Sequence, residues 1–420
     1  VVGNPQKGMS PFYPGQPVPV ELFIGRQEEI SRIDRALSQV ALGKPGAVYI
    51  TGEYGIGKSS LAGFVKYRAE KEHKVFGIHV LLGGARTIED VATKTVEVLL
   101  RSGGYEPTWT EAVKNALAKY VGKQDLFGFS VNLESLHADG PTLSHGFLPL
   151  LNGLFERTKK QGAKGILLIL DEINGITADP KFSHFIKGLV DENALSRPSL
   201  PLLIMLCGVD DRRRDMIRHH PPIERIFDIA EIRPMDDSEM GSFFTRSFES
   251  QQISIDADAL GVLKHYSAGY PKVMHIIGDA AFWIDKDDHI DGNDALSAVL
   301  TAAEDVGRKF VDQQVLSELR SLDYRSILSK LAKKDFDLSF QKAQIADGLT
   351  EIEKKKFNNF LQKMKKLNVL RAGNELGEYV FTSRLVRLYI LLNSAAISPG
   401  NQNALKELKA GGKMTANRNR

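Results

Sequence analysis

Residues Ala47-Val48-Tyr49-Ile50-Thr51-Gly52-Glu53-Tyr54-Gly55-Ile56-Gly57-Lys58-Ser59-Ser60-Leu61 decide how this chain folds. The apolar run 47–50 reads as a buried strand, the residues from Lys58 onward suit a helix, and between them Gly52 to Ser59 spell a full GxxxxGKS loop. Strand, glycine-rich turn and helix in that order gather consecutive backbone N–H groups and a positive helix end around a polyphosphate. Gly55 and Gly57 permit the tight turn and a close backbone approach. Gly52, Gly55, Ile56 and Gly57 therefore form the expected cradle, Lys58 reaches the β- and γ-phosphates, Ser59 ligates magnesium, and Ser60 can donate to the α-phosphate. The ligand expected is ATP with Mg2+.

A second apolar stretch, Gly165-Ile166-Leu167-Leu168-Ile169-Leu170-Asp171-Glu172, has six uncharged residues before its acid pair. That pattern fits a strand covered on both faces, as in a parallel sheet flanked by helices. Carboxylates at the carboxyl end of such a strand stand where open α/β sheets bind ligands. Asp171 is assigned to the magnesium shell and Glu172 to activating the attacking water, which makes the expected activity hydrolysis of ATP.

The 420 residues are 42% hydrophobic and 25% charged, ordinary globular material for several domains. No apolar run reaches the length of a membrane span and no charged-then-apolar leader opens the chain, so a cytoplasmic protein is expected. The single cysteine, Cys207, lies in an apolar run and reads as a buried thiol. Net charge is +3, unevenly spread: residues 311–420 hold 20 Lys and Arg against 11 Asp and Glu, about +9, which leaves the remainder mildly acidic.

The proline-rich residues 1–20 read as an extended segment packed on the surface. Phe23-Ile24-Gly25-Arg26 then opens a helix with Ile30, Ile33, Leu37 and Val40 on one face. Strands at 47–51, 75–82, 165–170, 201–207 and 226–232 alternate with helices at 58–72, 87–102, 110–121, 144–160 and 181–190, which argues a doubly wound parallel sheet over 21–234. Residues 127–134 alternate well enough for a hairpin. From 235 to 312 the pattern is helical only, a small lid. Over 313–395, helices at 323–334, 341–348 and 350–368 precede a two-stranded hairpin, the order of a winged helix-turn-helix, and 396–420 read as a flexible basic tail.

Taken together, the Phe-x-Gly-Arg opening, phosphate loop, Asp-Glu strand, helical lid and winged helix resemble the AAA+ ATPases over roughly residues 20–393. Among them the chain is similar to the group of archaeal and eukaryotic replication initiators and to the related STAND signalling ATPases. The resemblance implies that Ile24, Gly25 and Arg26 lie near the adenine, although a surface arginine capping its helix would give the same residues. It also implies a γ-phosphate sensor after the fourth strand, where Asp210 or Asp211 stands in place of the usual Asn, Ser or Thr. Arg225 matches the finger that reaches a neighbouring subunit's ATP, hence an expected homo-oligomer; Arg212, Arg213 and Arg214 compete for that role, and an arginine paired with Asp228 or Glu231 is the plainer alternative. Lys272 holds the place of the lid's second sensor, with the charge of arginine but not its bidentate geometry.

The helix 350–368 turns Phe357, Phe360, Leu361, Met364 and Leu367 to one face, so Lys355, Asn359, Gln362 and Lys366 share the other. Lysines for phosphates and amides for adenine edges suit a DNA groove. A solvated lysine-rich helix has the same pattern. Two functions follow: an ATP-driven switch acting on DNA or a nucleoprotein complex, or a STAND-type signalling or defence ATPase that assembles with a partner protein.

Overall fold

The computed structural model describes residues 7–101, 108–109, 140–334, 338–373 and 375–396. The helix expected at 110–121, the hairpin at 127–134 and the tail beyond 396 lie outside the described residues. All five expected core strands form: β1 (Gly46–Gly52), β2 (Val75–Leu81), β3 (Gly165–Asp171), β4 (Leu202–Gly208) and β5 (Asp228–Ile232). They make one parallel sheet in the order β2-β3-β4-β1-β5. β3 and β4 are buried at every residue, which is why neither alternates in sequence. β5, at an edge, is buried only at alternate positions such as Ala230 and Ile232.

The register sets the site. Thr51 of β1 is level with Gly208 of β4, and Leu81 of β2 is level with Asp171 of β3. With β4 between them, β1 and β3 are two strand spacings apart, about 10 Å. The phosphate loop and the Asp-Glu pair thus leave the same end of the sheet across a gap of polyphosphate size. Helix Gln27–Ala41 buries Ile30, Ile33, Leu37 and Val40, the face read from the sequence.

Two compact units divide the chain, one of them Pro17–Arg233. The other begins at Pro234 and includes the N-terminal residues up to Gln16. Its helices Asp237–Glu249, Ala257–Ser267, Pro271–Ile284 and Gly292–Val306 fall where the sequence reads as helical, the first opened by a capping box of Asp236 and Glu239. A π-helical stretch, Gly307–Leu316, continues the last of them and contributes Val311 and Val315 to the next core. That core lies among helices Leu322–Lys333, Lys342–Ala346, Glu351–Lys366 and Arg384–Ala396. The hairpin Leu370–Ala372 with Glu378–Phe381 gains a third antiparallel strand, Ser339–Gln341, too short to read from sequence.

Residues 7–16 do more than cover a surface. Phe12 is 3% exposed and packs edge-on to Phe248 at 5.0 Å between ring centres, beside Phe243 and Phe244. A Cβ on Gly278 would overlap the Phe12 ring, so helix Pro271–Ile284 leaves a slot for it. The Lys7 ammonium pairs with the buried Asp285 carboxylate, and the Tyr13 N–H donates to His275 Nδ1 at 3.2 Å. Among the described residues, no helix is long and apolar enough to cross a membrane.

Burial pushes the His275 pKa down to about 4 from an ordinary 6.5. The folded state therefore binds fewer protons than the unfolded state between those values, so this contribution is complete above pH 6.5 and is lost as pH falls toward 4. Urea unfolding at pH 7.5 and pH 5 should show a loss of about 2 kcal/mol attributable to this ring, absent in His275→Asn; equal losses in both proteins would contradict it.

Candidate active site

The phosphate loop joins β1 to helix Lys58–Lys71, with Gly57 as its N-cap. Gly55 and Gly57 have φ of 77° and 98°, the left-handed region that the motif's glycines are there to reach. Lys58 Nζ donates to the carbonyls of Gly52 at 2.8 Å and Glu53 at 2.7 Å, so the ammonium is held inside the loop. Burial pulls its pKa below the usual lysine range, against the opposing charges of Asp171, Glu53 and Glu172. A lysine so placed can exchange carbonyl partners for phosphate oxygens. Ser60 Oγ accepts from the Val18 N–H at 3.2 Å and keeps its own proton to donate.

Asp171, 1% exposed, ends β3. Its Oδ1 accepts from the Glu172 N–H at 2.8 Å and its Oδ2 lies 3.3 Å from His79 Nε2. Glu172 is exposed and adopts φ 57°, a left-handed conformation costly for a residue with a side chain. Its carboxylate rests against Gly83, where a Cβ would collide with it. The turn beyond is tied to β4: Ile173 N–H donates to the Cys207 carbonyl at 3.2 Å, and Asn174 Oδ1 accepts from Val209 N–H at 3.3 Å. The Cys207 thiol is fully buried, and burial raises its pKa, which keeps it neutral. Ser59 and Asp171 offer hydroxyl and carboxylate oxygens, a hard donor set that fits magnesium.

Arg26 is 4% exposed and sits at φ 65° ahead of helix Gln27–Ala41. Its guanidinium donates to the Ile56 carbonyl at 3.1 Å, inside the phosphate loop, and to the carbonyl of Arg233 just beyond β5. Sequence reasoning offered an adenine neighbour or a surface cap; at 4% exposure the side chain is no surface cap, and its hydrogen bonds brace two backbone segments.

The arginines after β4 sort themselves by partner. Helix Asp210–His219, not anticipated from the sequence, carries Asp210 and Asp211 in its first turn, where the helix dipole favours acids. Asp210 is held by Arg213 at 2.9 Å and Arg214 at 2.8 Å, and Arg212 pairs with Asp215 at 2.7 Å. Arg225, on the short helix Pro221–Ile226, is exposed and has no hydrogen bond or ion pair among the described residues. Its two plainer partners are taken, Asp228 by Arg32 and Glu231 by Arg233. Lys272 lies in the first turn of helix Pro271–Ile284, in the other unit.

On helix Glu351–Lys366 the residues Lys355, Asn359, Gln362 and Lys366 are all exposed. Flanking lysines are engaged: Lys354 with Glu351, Lys356 with Asp323, Lys363 with Glu318. Lys355 and Lys366 have no ion pair among the described residues. Sequence reasoning missed His79, Asn174 and Gly83, and only strand register could have placed them at the site.

A parallel five-stranded sheet with this phosphate loop and acid pair defines a P-loop nucleotide-binding protein. Residues 22–205 match the family model described as AAA ATPase domain. No curated protein matches it. Among solved structures it is similar to a Walker-type ATPase of Pyrococcus abyssi, with TM-score 0.51 and 16% identity over 88% of this chain and 96% of that one. It is also similar to the ORC2 protein of Aeropyrum pernix in its ADPNP-ADP complexes, with TM-score 0.54 and 13% identity over 92% and 96%. These likenesses are of fold.

Replacing Arg26 by Ala should destabilise the Pro17–Arg233 unit by about 3 kcal/mol, because two charge-assisted hydrogen bonds to backbone carbonyls, one of them buried, are lost. Arg26→Lys should recover less than half, since an ammonium cannot span both carbonyls. Urea unfolding of the three proteins measures both effects; a loss below about 0.5 kcal/mol for Ala would refute the brace.

Proposed function

We propose that this chain is a magnesium-dependent ATPase of the AAA+ kind that acts on DNA through a C-terminal winged helix. The observation that carries the reading is the joint position of Lys58, Asp171 and Glu172 at one end of the sheet, with Lys58 feeling both carboxylates. The complexes of the similar ORC2 protein with ADPNP and ADP support a nucleotide at this loop. In this reading Gly52, Gly55, Ile56, Gly57, Ser60 and the Lys58 ammonium hold the phosphates, and Ser59 and Asp171 hold magnesium. Bound magnesium supplies positive charge against the β- and γ-phosphate oxygens. Glu172 orients a water toward the γ-phosphorus and takes its proton as ADP departs. Arg225 serves a neighbouring copy's nucleotide, for which its exposure and its lack of an ion pair speak. Lys272 serves as a loose second sensor.

We read 21–234 as the ATPase core, 235–312 as the lid and 313–395 as the winged helix, with 1–20 and 396–420 as terminal segments. The unengaged lysines are compatible with the DNA surface: lysines 354, 356 and 363 are neutralised locally, whereas Lys355, Lys365 and Lys366 leave their charge to solvent. Two observations favour the STAND-type alternative, in which the winged helix packs within the switch. Arg384 donates to the His265 carbonyl at 2.5 Å, and Tyr389 covers Gly307 so closely that a Cβ there would enter the ring. In that case a partner protein would be the target, and co-purification from the native host would find it.

Lys58→Ala should weaken ATP binding at least tenfold, while Glu172→Gln should bind ATP and turn it over at under 1% of the wild-type rate. Steady-state hydrolysis at increasing protein concentration tests Arg225 as well: the specific rate should rise as subunits assemble, and Arg225→Ala should stay flat. Wild-type turnover in Glu172→Gln would remove the base assignment.

For the DNA surface, each lysine contacting phosphate adds nearly one unit to the salt slope of binding. Lys355→Glu with Lys366→Glu should abolish measurable duplex binding at 100 mM salt by fluorescence anisotropy, with ATP hydrolysis in the absence of DNA unchanged. Undiminished binding would rule this surface out.

A further inference from the structure

His79 is a mid-strand residue of β2, paired in register with Ile169 of β3. Its ring reaches along the sheet to Asp171, two residues further on, with Nε2 3.3 Å from Oδ2. We infer that His79 is a positioning residue that fixes the Asp171 carboxylate for the metal ion. The inference rests on the reading of Asp171 as a magnesium ligand.

A carboxylate is an acceptor only, so the ring nitrogen that faces it carries its hydrogen, and the tautomer is Nε2–H. Asp171 then accepts on both oxygens: Oδ1 from the Glu172 N–H at 2.8 Å and Oδ2 from His79. One donor on each oxygen defines the plane of the group and leaves each a further lone-pair direction. The partner that would otherwise claim the carboxylate is Lys58, whose ammonium is close enough to feel its charge. Without His79, Asp171 is free to turn toward Lys58, and an ion pair there would occupy both the magnesium ligand and the phosphate lysine. β2 and the turn that follows it therefore support both acids, with His79 beside Asp171 and Gly83 beside Glu172.

Partners one shell out from a metal ligand typically carry about ten- to a hundredfold of the metal affinity. The test uses the full chain with Glu172→Gln, so that nothing turns over, and follows binding of a fluorescent ATP analogue during a magnesium titration and in EDTA. Adding His79→Ala should raise the magnesium midpoint about tenfold or more and leave affinity in EDTA unchanged. His79→Gln, whose amide can donate from nearly the same place, should restore most of the midpoint. An unchanged midpoint in His79→Ala would overturn the inference, and so would an equal loss of affinity with and without magnesium, which is the mark of a merely structural residue. Should the parent protein itself bind the analogue with no dependence on magnesium, the reading of Asp171 would fall and the role of His79 with it, a result visible before any His79 variant is made.

Discussion

The parallel pairing of β4 between β1 and β3 is the constraint on which the site depends. Because Thr51 stands level with Gly208, and the strands on either side of β4 end at the same edge, the phosphate loop and the acid pair project from one rim of the sheet. Backbone hydrogen bonds along buried strands resist slippage, since a one-residue shift would turn every side chain to the opposite face. Asp171, Glu172 and Lys58 therefore take their mutual positions from the sheet, and their own hydrogen bonds then fix each side chain. Arg26 extends the same logic to the loop, fastening the Ile56 carbonyl to the strand exit at Arg233.

Charge after β4, around helix Asp210–His219, is managed by local pairing. Around helix Asp210–His219 every arginine of the run 212–214 has a carboxylate within its own helix, and Asp228 and Glu231 are occupied from elsewhere. Exposed pairs of this sort contribute little to stability, but they determine which cations stay available. Arg225 in the core and Lys355, Lys365 and Lys366 on helix Glu351–Lys366 are among the cations left without an ion pair in the described residues, where a phosphate would find an unengaged charge.

Much of the fold was legible because its signals are local. The strand burial of β1 and β3, the GxxxxGKS loop, the Asp-Glu pair and the 3-4 spacing of Phe357, Phe360, Leu361 and Met364 depend on near neighbours in the chain. Helix Asp210–His219 was not legible, since its ten residues are almost all charged and only Met216 is buried. Strand Ser339–Gln341 was missed for the opposite reason: three residues cannot display a period, and their partner lies at Glu378–Phe381. Phe12 could be seen as apolar but not as buried, because the slot that receives it is made by Gly278 and three phenylalanines more than 200 positions away.

By itself the sequence determined the chemistry: a phosphate loop needs its glycines, lysine and serine contiguous, so the whole device is written in eight successive residues, with its acids at the end of one strand. Tertiary structure alone decided the company those residues keep. His79 reaches Asp171, Gly83 makes room for Glu172, and Arg26 braces Ile56 because separate strands were brought into register, and register is a property of paired backbones that no single stretch of chain encodes.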